Sequence, residues 1–203
     1  MSGKFILHYF PVNGRAATAR AILCYAKADW TNDLVKKEDW VKIKSNDLFE
    51  FSQMPILEHN GKIYSQSIAI NIYLSKVFNL YGKNIEEEYE INSLFCISDD
   101  LGQVLVPVKF CQDAKKKEEL KKVAIEKLNL YLEKLEKRYL NLGNKDYYLG
   151  EFSAADIYLT VNLFTFLNAI EIKSIENVAP NLWKLINRIK EKELKEFFDK
   201  YNL

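Results

Sequence analysis

Short apolar runs punctuated by turn residues fill the first eighty positions of the chain, and helical periods fill the rest. Phe5 to Phe10 is a mostly apolar run that stops at Pro11 and Asn13-Gly14, which is strand followed by turn chemistry. From Arg15 onward Ala16, Ala19, Ile22, Leu23 and Ala26 recur at three- and four-residue spacing and predict a helix. Trp30 to Val35 predicts a second strand and Asp39 to Lys44 a short helix, with an irregular stretch to Phe51. Ile56-Leu57-Glu58 and Lys62-Ile63-Tyr64 flank Asn60-Gly61, the residue pair best suited to a two-residue hairpin turn. Ser65-Gln66-Ser67 then predicts the cap of a helix that turns Ile68, Ile72, Tyr73 and Leu74 inward.

The order strand, helix, strand, helix, hairpin, helix makes a small α/β layer with a mixed sheet over residues 1 to about 80. After Leu80-Tyr81-Gly82 strand-like alternation all but disappears. Helical runs extend from Glu86 to about Ala114, Glu118 to Leu140, Ala154 to Ile170 and Asn181 to Tyr201, the last divisible in two, so residues 81 to 203 form an all-α domain. Ser153, followed three residues later by Asp156 before Ile157-Tyr158-Leu159, reads as a capping box with a structural role.

Composition narrows the classes. With 48% of 203 residues hydrophobic, the chain buries a core without covalent staples. Twenty-nine basic residues against 28 acidic ones leave a net charge of +1, so no long-range field favours nucleic acid or an anionic membrane. Lys115-Lys116-Lys117 runs straight into Glu118-Glu119, as a solvated helix face does. Three widely spaced cysteines and two histidines support neither a disulfide framework nor a zinc site. No apolar stretch reaches the roughly 20 residues that a membrane crossing takes, and no signal-peptide core follows the N-terminus, so a cytoplasmic setting with reduced thiols is expected.

Three groups of residues carry candidate chemistry. Tyr9 closes the first strand, at the end where ligands gather in α/β layers, and a neutral phenol is suited to donating a hydrogen bond to an anion. Met54-Pro55 lies where a loop enters a strand, a place that tolerates a cis peptide. Gln66-Ser67 opens a helix whose free amides suit a carboxylate. Trp40 and Lys44 share one face of the short helix. Arg15, a cation at the start of a helix, is there against the helix dipole.

Taken together, Tyr9-Phe10 with Gly14-Arg15-Ala16 and Arg20, Met54-Pro55 and Gln66-Ser67 resemble the cytosolic glutathione transferases, most closely the sigma class related to glutathione-dependent prostaglandin D synthase. The resemblance spans essentially the whole chain and implies a thioredoxin-like N-terminal domain (1–80) and an all-α C-terminal domain (81–203). It implies that the Tyr9 hydroxyl binds the glutathione sulfur with Arg15 nearby, and that the Met54 backbone before a cis Pro55 pairs with the cysteinyl unit. By the same resemblance Gln66 and Ser67 hold the γ-glutamyl end, and Trp40, Lys44 and Gln53 the glycyl carboxylate. Asp100 would reach the glutathione of a partner in a homodimer, and either Phe49 or Phe51 would insert into that partner.

The implied electrophile site comprises Val12 and Gly14 with Val104, Pro107, Val108, Tyr158 and Leu203. Cys96 stands where a metal-binding version of the family has a carboxylate, so no metal is expected, and glutathione is the co-substrate. Pro107 stands where the prostaglandin synthases carry a tryptophan, which favours conjugation of apolar electrophiles over prostaglandin isomerisation. A non-catalytic ligand carrier on the same fold is the other reading; the short join near Ala114 to Glu118 favours an enzyme.

Overall fold

The computed structural model describes residues 3–201, and the chain parts into two compact units. One comprises residues up to Leu80 together with the stretch from Glu196; the other runs from Tyr81 to Lys195.

The first unit is built on a four-stranded sheet of order β2-β1-β3-β4. Strands β1 (Phe5–Tyr9) and β2 (Trp30–Leu34) are parallel, whereas β3 (Ile56–His59) runs antiparallel to both β1 and β4 (Lys62–Ser65). Side chains alternate across a strand, so Phe5, Leu7 and Tyr9 share one face and are buried. His8 points to the other face, where its ring nitrogens lie 2.6 Å from Asp33 and 2.6 Å from Glu58, tying three strands together. Asn60 and Gly61 take φ of 51° and 71°, the turn that joins β3 to β4.

A 3-10 turn at Gly14–Ala16 leads into α1 (Ala17–Tyr25), and α2 (Lys37–Ile43) begins two residues earlier than the apolar pattern indicates. Helix α3 (Ser67–Val77) packs against α1. Its buried positions are Ile70, Asn71, Leu74 and Ser75, so the expected inward face is rotated: Ile68, Ile72 and Tyr73 are only half-buried. Ser75 is tolerated on the buried face because its hydroxyl donates to the Asn71 carbonyl at 2.6 Å. Gln66, the N-cap, sits at φ 68° and ψ 115° with no side-chain capping bond, so the cap expected from Ser65-Gln66-Ser67 is not made by a side chain.

The second unit contains α4 (Ile85–Phe110), α5 (Ala114–Asn141), α6 (Ala154–Ala169) and α7 (Pro180–Glu191). The side chains of Asn84 and Asp113 accept the Glu87 and Lys116 amides and start α4 and α5. Helix α6 is buried on nearly every side, as its mostly apolar composition all round requires, and Ser153 and Asp156 form the expected capping box at its start. Asp156 is fully buried and accepts the Tyr148 and Ser153 amides at 2.8 Å and 2.9 Å, while burial pushes its carboxyl up to about 7. The helical run to Tyr201 breaks at Lys192, and α8 (Lys195–Tyr201) follows.

Candidate functional site

Four stretches of the first unit meet around a groove of ≈ 400 Å³: Phe10 and Arg15 after β1, Trp40 on α2, Ser52 to Pro55 before β3, and Gln66-Ser67 at the start of α3. The positions follow from where elements end. Strand β1 stops before Pro11, the loop ahead of β3 enters it through a cis Met54-Pro55 bond, and α3 begins at the lip of the same cavity.

Each wall offers a different chemistry. Trp40 stands edge-on to Phe10 at 6.0 Å and to Phe49 at 4.9 Å, forming an aromatic side. Phe49 is buried behind Trp40, with the His8 ring 6.3 Å away, whereas Phe51 is exposed. The Gln66 carboxamide approaches Gln53 at 3.5 Å across the opening. Ile70 is the first residue of α3 whose amide bonds back, to Gln66, so the amides of Ser67, Ile68 and Ala69 have no carbonyl of their own helix to meet. Such an end attracts an anion.

Tyr9 is buried, and its hydroxyl oxygen accepts the Arg15 amide at 3.1 Å. That bond engages the oxygen as an acceptor and leaves its hydrogen available to donate. Tyr9 does not itself line the groove; its sequence neighbour Phe10 and its hydrogen-bond partner Arg15 do. Beside it, Arg20 is fully buried in α1 and burial pulls its pKa down.

Of the residues singled out from the sequence, Arg15, Trp40, Gln53, Met54, Pro55, Gln66 and Ser67 come together around this groove. Lys44 closes α2 as an exposed residue outside the lining. Phe10 and Ser52 were not singled out as contacts. Phe10 could have been found from its place after Tyr9, where the alternation puts it on the α2 side of the sheet; Ser52, at φ 48°, carries no signal in the sequence.

The other candidates are described in their own units. Val12 is exposed, and Gly14 holds a φ of +39°. In the second unit Asp100 is exposed on α4 and accepts the Tyr131 hydroxyl at 3.1 Å. Val104 is half-buried and Pro107 exposed on the same helix, while Val108 is fully buried; Tyr158 is buried with its ring 4.3 Å from Phe95. Leu203 lies outside the described residues. Among the described residues no group of three or more histidine, cysteine and acidic side chains is placed to hold a metal ion, and no helix is long and apolar enough to cross a membrane.

Residues 6–76 match the family model of the glutathione S-transferase N-terminal domain, and residues 99–200 that of the C-terminal domain. Glutathione S-transferase 2 of Manduca sexta is 31% identical over 199 residues, covering 97% of this chain and 96% of that protein. The glutathione S-transferase of Ascaris lumbricoides superposes with a TM-score of 0.85 at 28% identity, over 98% of this chain and 97% of that one. The structure described as rat hPGDS complexed with a quinoline superposes with a TM-score of 0.84 at 25% identity, over 97% and 96%. With both halves matched and a relative aligned along nearly its full length, the chain belongs to the glutathione S-transferase family.

Proposed function

We propose that this protein is a sigma-like glutathione transferase that binds glutathione in the groove of its first unit, stabilises the thiolate with the Tyr9 hydroxyl and passes it to an apolar electrophile. The observation that carries this reading is the convergence of Arg15, Trp40, Gln53, Met54, Pro55, Gln66 and Ser67 on one cavity, with the Tyr9 hydroxyl bound to the Arg15 amide beside it.

A peptide thiol with a pKa near 8.5 is mostly protonated at neutral pH, and favouring its thiolate by about 2 pKa units requires roughly 2.7 kcal/mol. A phenolic donor whose oxygen is already held by a backbone amide is oriented for that task. The α3 amides with Gln66 and Ser67 receive the γ-glutamyl carboxylate, the Met54 backbone pairs with the cysteinyl unit, and Trp40, Lys44 and Gln53 take the glycyl end. Arg15, on the groove wall, adds positive charge near the sulfur. The reading includes a cytoplasmic homodimer in which Asp100 of one copy contacts the glutathione of the other.

Replacing Tyr9 with Phe is expected to lower kcat with a chloro-dinitrobenzene by about 10- to 100-fold, about 1.4 to 2.7 kcal/mol of barrier, with KM for glutathione nearly unchanged. Wild-type turnover by that variant rejects the role of Tyr9. A prostaglandin endoperoxide belongs in the same substrate panel, because the rat hPGDS structure superposes so closely; isomerisation without conjugation would replace the electrophile reading.

A further inference from the structure

Arg20 is fully buried, and among the described residues the hydrogen-bond partners of its guanidinium are neutral oxygens. Nε donates to Asn32 Oδ1 at 3.1 Å, Nη1 to the Val12 carbonyl at 2.5 Å and Nη2 to the Phe10 carbonyl at 3.1 Å. An enclosed cation held by neutral groups is costly. In return it holds in place the loop that leaves β1, because two carbonyls on either side of Pro11 converge on one planar fork. Phe10 at one end of that loop lines the groove, and Tyr9 precedes it.

Two rings face the same charge. The Arg20 Cζ lies 5.6 Å from the centroid of the Tyr9 ring and 5.6 Å from that of Tyr201, in α8. A cation over an aromatic face is attracted to it, more strongly where water is excluded. Asn13, in the same loop, donates from its side chain to the Tyr201 carbonyl at 3.1 Å. The last turn of α8 is thus fastened to the loop at one point and laid over the arginine at another. Among the described residues, Cys24, one turn further along α1, and Glu196 and Lys200 of α8 are titratable groups beside this cluster; burial pushes the Cys24 thiol up.

We propose that Arg20 is a positioning residue for the transferase reaction, that it sets the Tyr9 ring and the Phe10–Val12 loop, and that Tyr201 of the C-terminal helix holds Arg20 in place. This rests on the assignment of Tyr9 to the thiolate. Arg20 touches no substrate; it acts through the two groups it binds.

The test compares Tyr201→Leu, Tyr201→Phe, Arg20→Lys and Tyr9→Phe with the wild type in the full-length protein. The readouts are kcat and KM with glutathione and a chloro-dinitrobenzene, the ultraviolet absorbance of the bound thiolate as a function of pH, and thermal unfolding. Tyr201→Leu is expected to unfold cooperatively, to keep KM for glutathione within about twofold and to lose kcat by about 3- to 10-fold, the size expected of a small misplacement of a catalytic group. Its thiolate titration moves to higher pH. Tyr201→Phe, which keeps the ring face, restores both, and Arg20→Lys, which keeps the charge but loses the fork, does not. A Tyr201→Leu protein with wild-type kcat and thiolate titration overturns the proposal, as does a loss of kcat fully matched by the unfolded fraction. If Tyr9→Phe shifts the titration while Tyr201→Leu leaves it in place, this proposal alone fails; if Tyr9→Phe shifts nothing, the assignment of Tyr9 fails and takes the proposal with it.

Discussion

Gly14 approaches Tyr9 so closely that a Cβ added to it would stand 2.7 Å from the tyrosine hydroxyl oxygen. The glycine also holds φ at +39°, where L side chains are disfavoured. Gly14→Ala therefore acts twice, through the backbone and through the hydroxyl. It is expected to cost about 1 to 2 kcal/mol of stability, and to lower kcat about tenfold, equivalent to about 1.4 kcal/mol of barrier, by displacing the oxygen. Thermal melts and steady-state conjugation check the two effects separately, and an unchanged kcat would detach the hydroxyl from the reaction.

Gln66 lines the groove from a strained backbone position. Its φ of 68° and ψ of 115° form a conformation that a residue with a Cβ adopts at a cost of about 1 to 3 kcal/mol. Glycine relieves that strain but adds freedom to the unfolded chain, about 0.5 to 1 kcal/mol in the opposite direction. Gln66→Gly should thus melt at the same temperature or higher, while KM for glutathione rises about tenfold, about 1.4 kcal/mol of lost binding. A fall in melting temperature would show that the carboxamide, not the ligand, holds that turn.

Glu136 of α5 does for α7 what the N-cap residue does not. Ala179 at the helix start has no side-chain acceptor, and the buried Glu136 carboxylate accepts the amides of Asn181 at 3.0 Å and Leu182 at 2.9 Å, with the Asn181 side chain at 2.6 Å. Glu136→Ala leaves buried donors unmet and is expected to destabilise the protein by about 2 to 3 kcal/mol. Chemical denaturation measures this directly.

Asp156 gives stability a pH dependence. Its carboxyl is pushed by burial from an ordinary value near 3.8 up to about 7. Between those two values the folded protein keeps the proton and the unfolded chain releases it, so stability falls as pH rises across that window and levels off above it. Below the lower value the contribution is complete. Asp156→Asn removes this component, so denaturation midpoints of wild type and variant should converge or cross as pH rises. A wild-type contribution that grows with pH would show that its amide donors hold the carboxylate more strongly than burial opposes it.

Features governed by neighbouring residues were the legible ones. Asn60-Gly61 announces its hairpin because few other pairs accept φ values of 51° and 71° in succession. Ser153 and Asp156 announce a helix start because the reciprocal bonds span only three residues. The inward face of α3 does not follow its apolar residues, because Asn71 and Ser75 are buried there, with the Ser75 hydroxyl bonded to the Asn71 carbonyl, and hydrophobic periodicity carries no signal for a buried polar pair. Arg20 stands out in the sequence only as part of the family resemblance, with no task attached, since its carbonyl partners exist only once the loop after β1 has folded round it. The placing of the stretch from Glu196 with the first unit was hidden for the same reason: Asn13 and Tyr201 are 188 positions apart.

That separation matters during synthesis. As the chain leaves the ribosome, its leading eighty residues can assemble their sheet, yet the arginine inside them stays half clothed until the trailing helix emerges and lies over it. Contacts so distant in order form late. The unit that carries the groove is therefore begun first and finished last, and a fragment ending at Leu80 would present to water a cation that the whole molecule encloses.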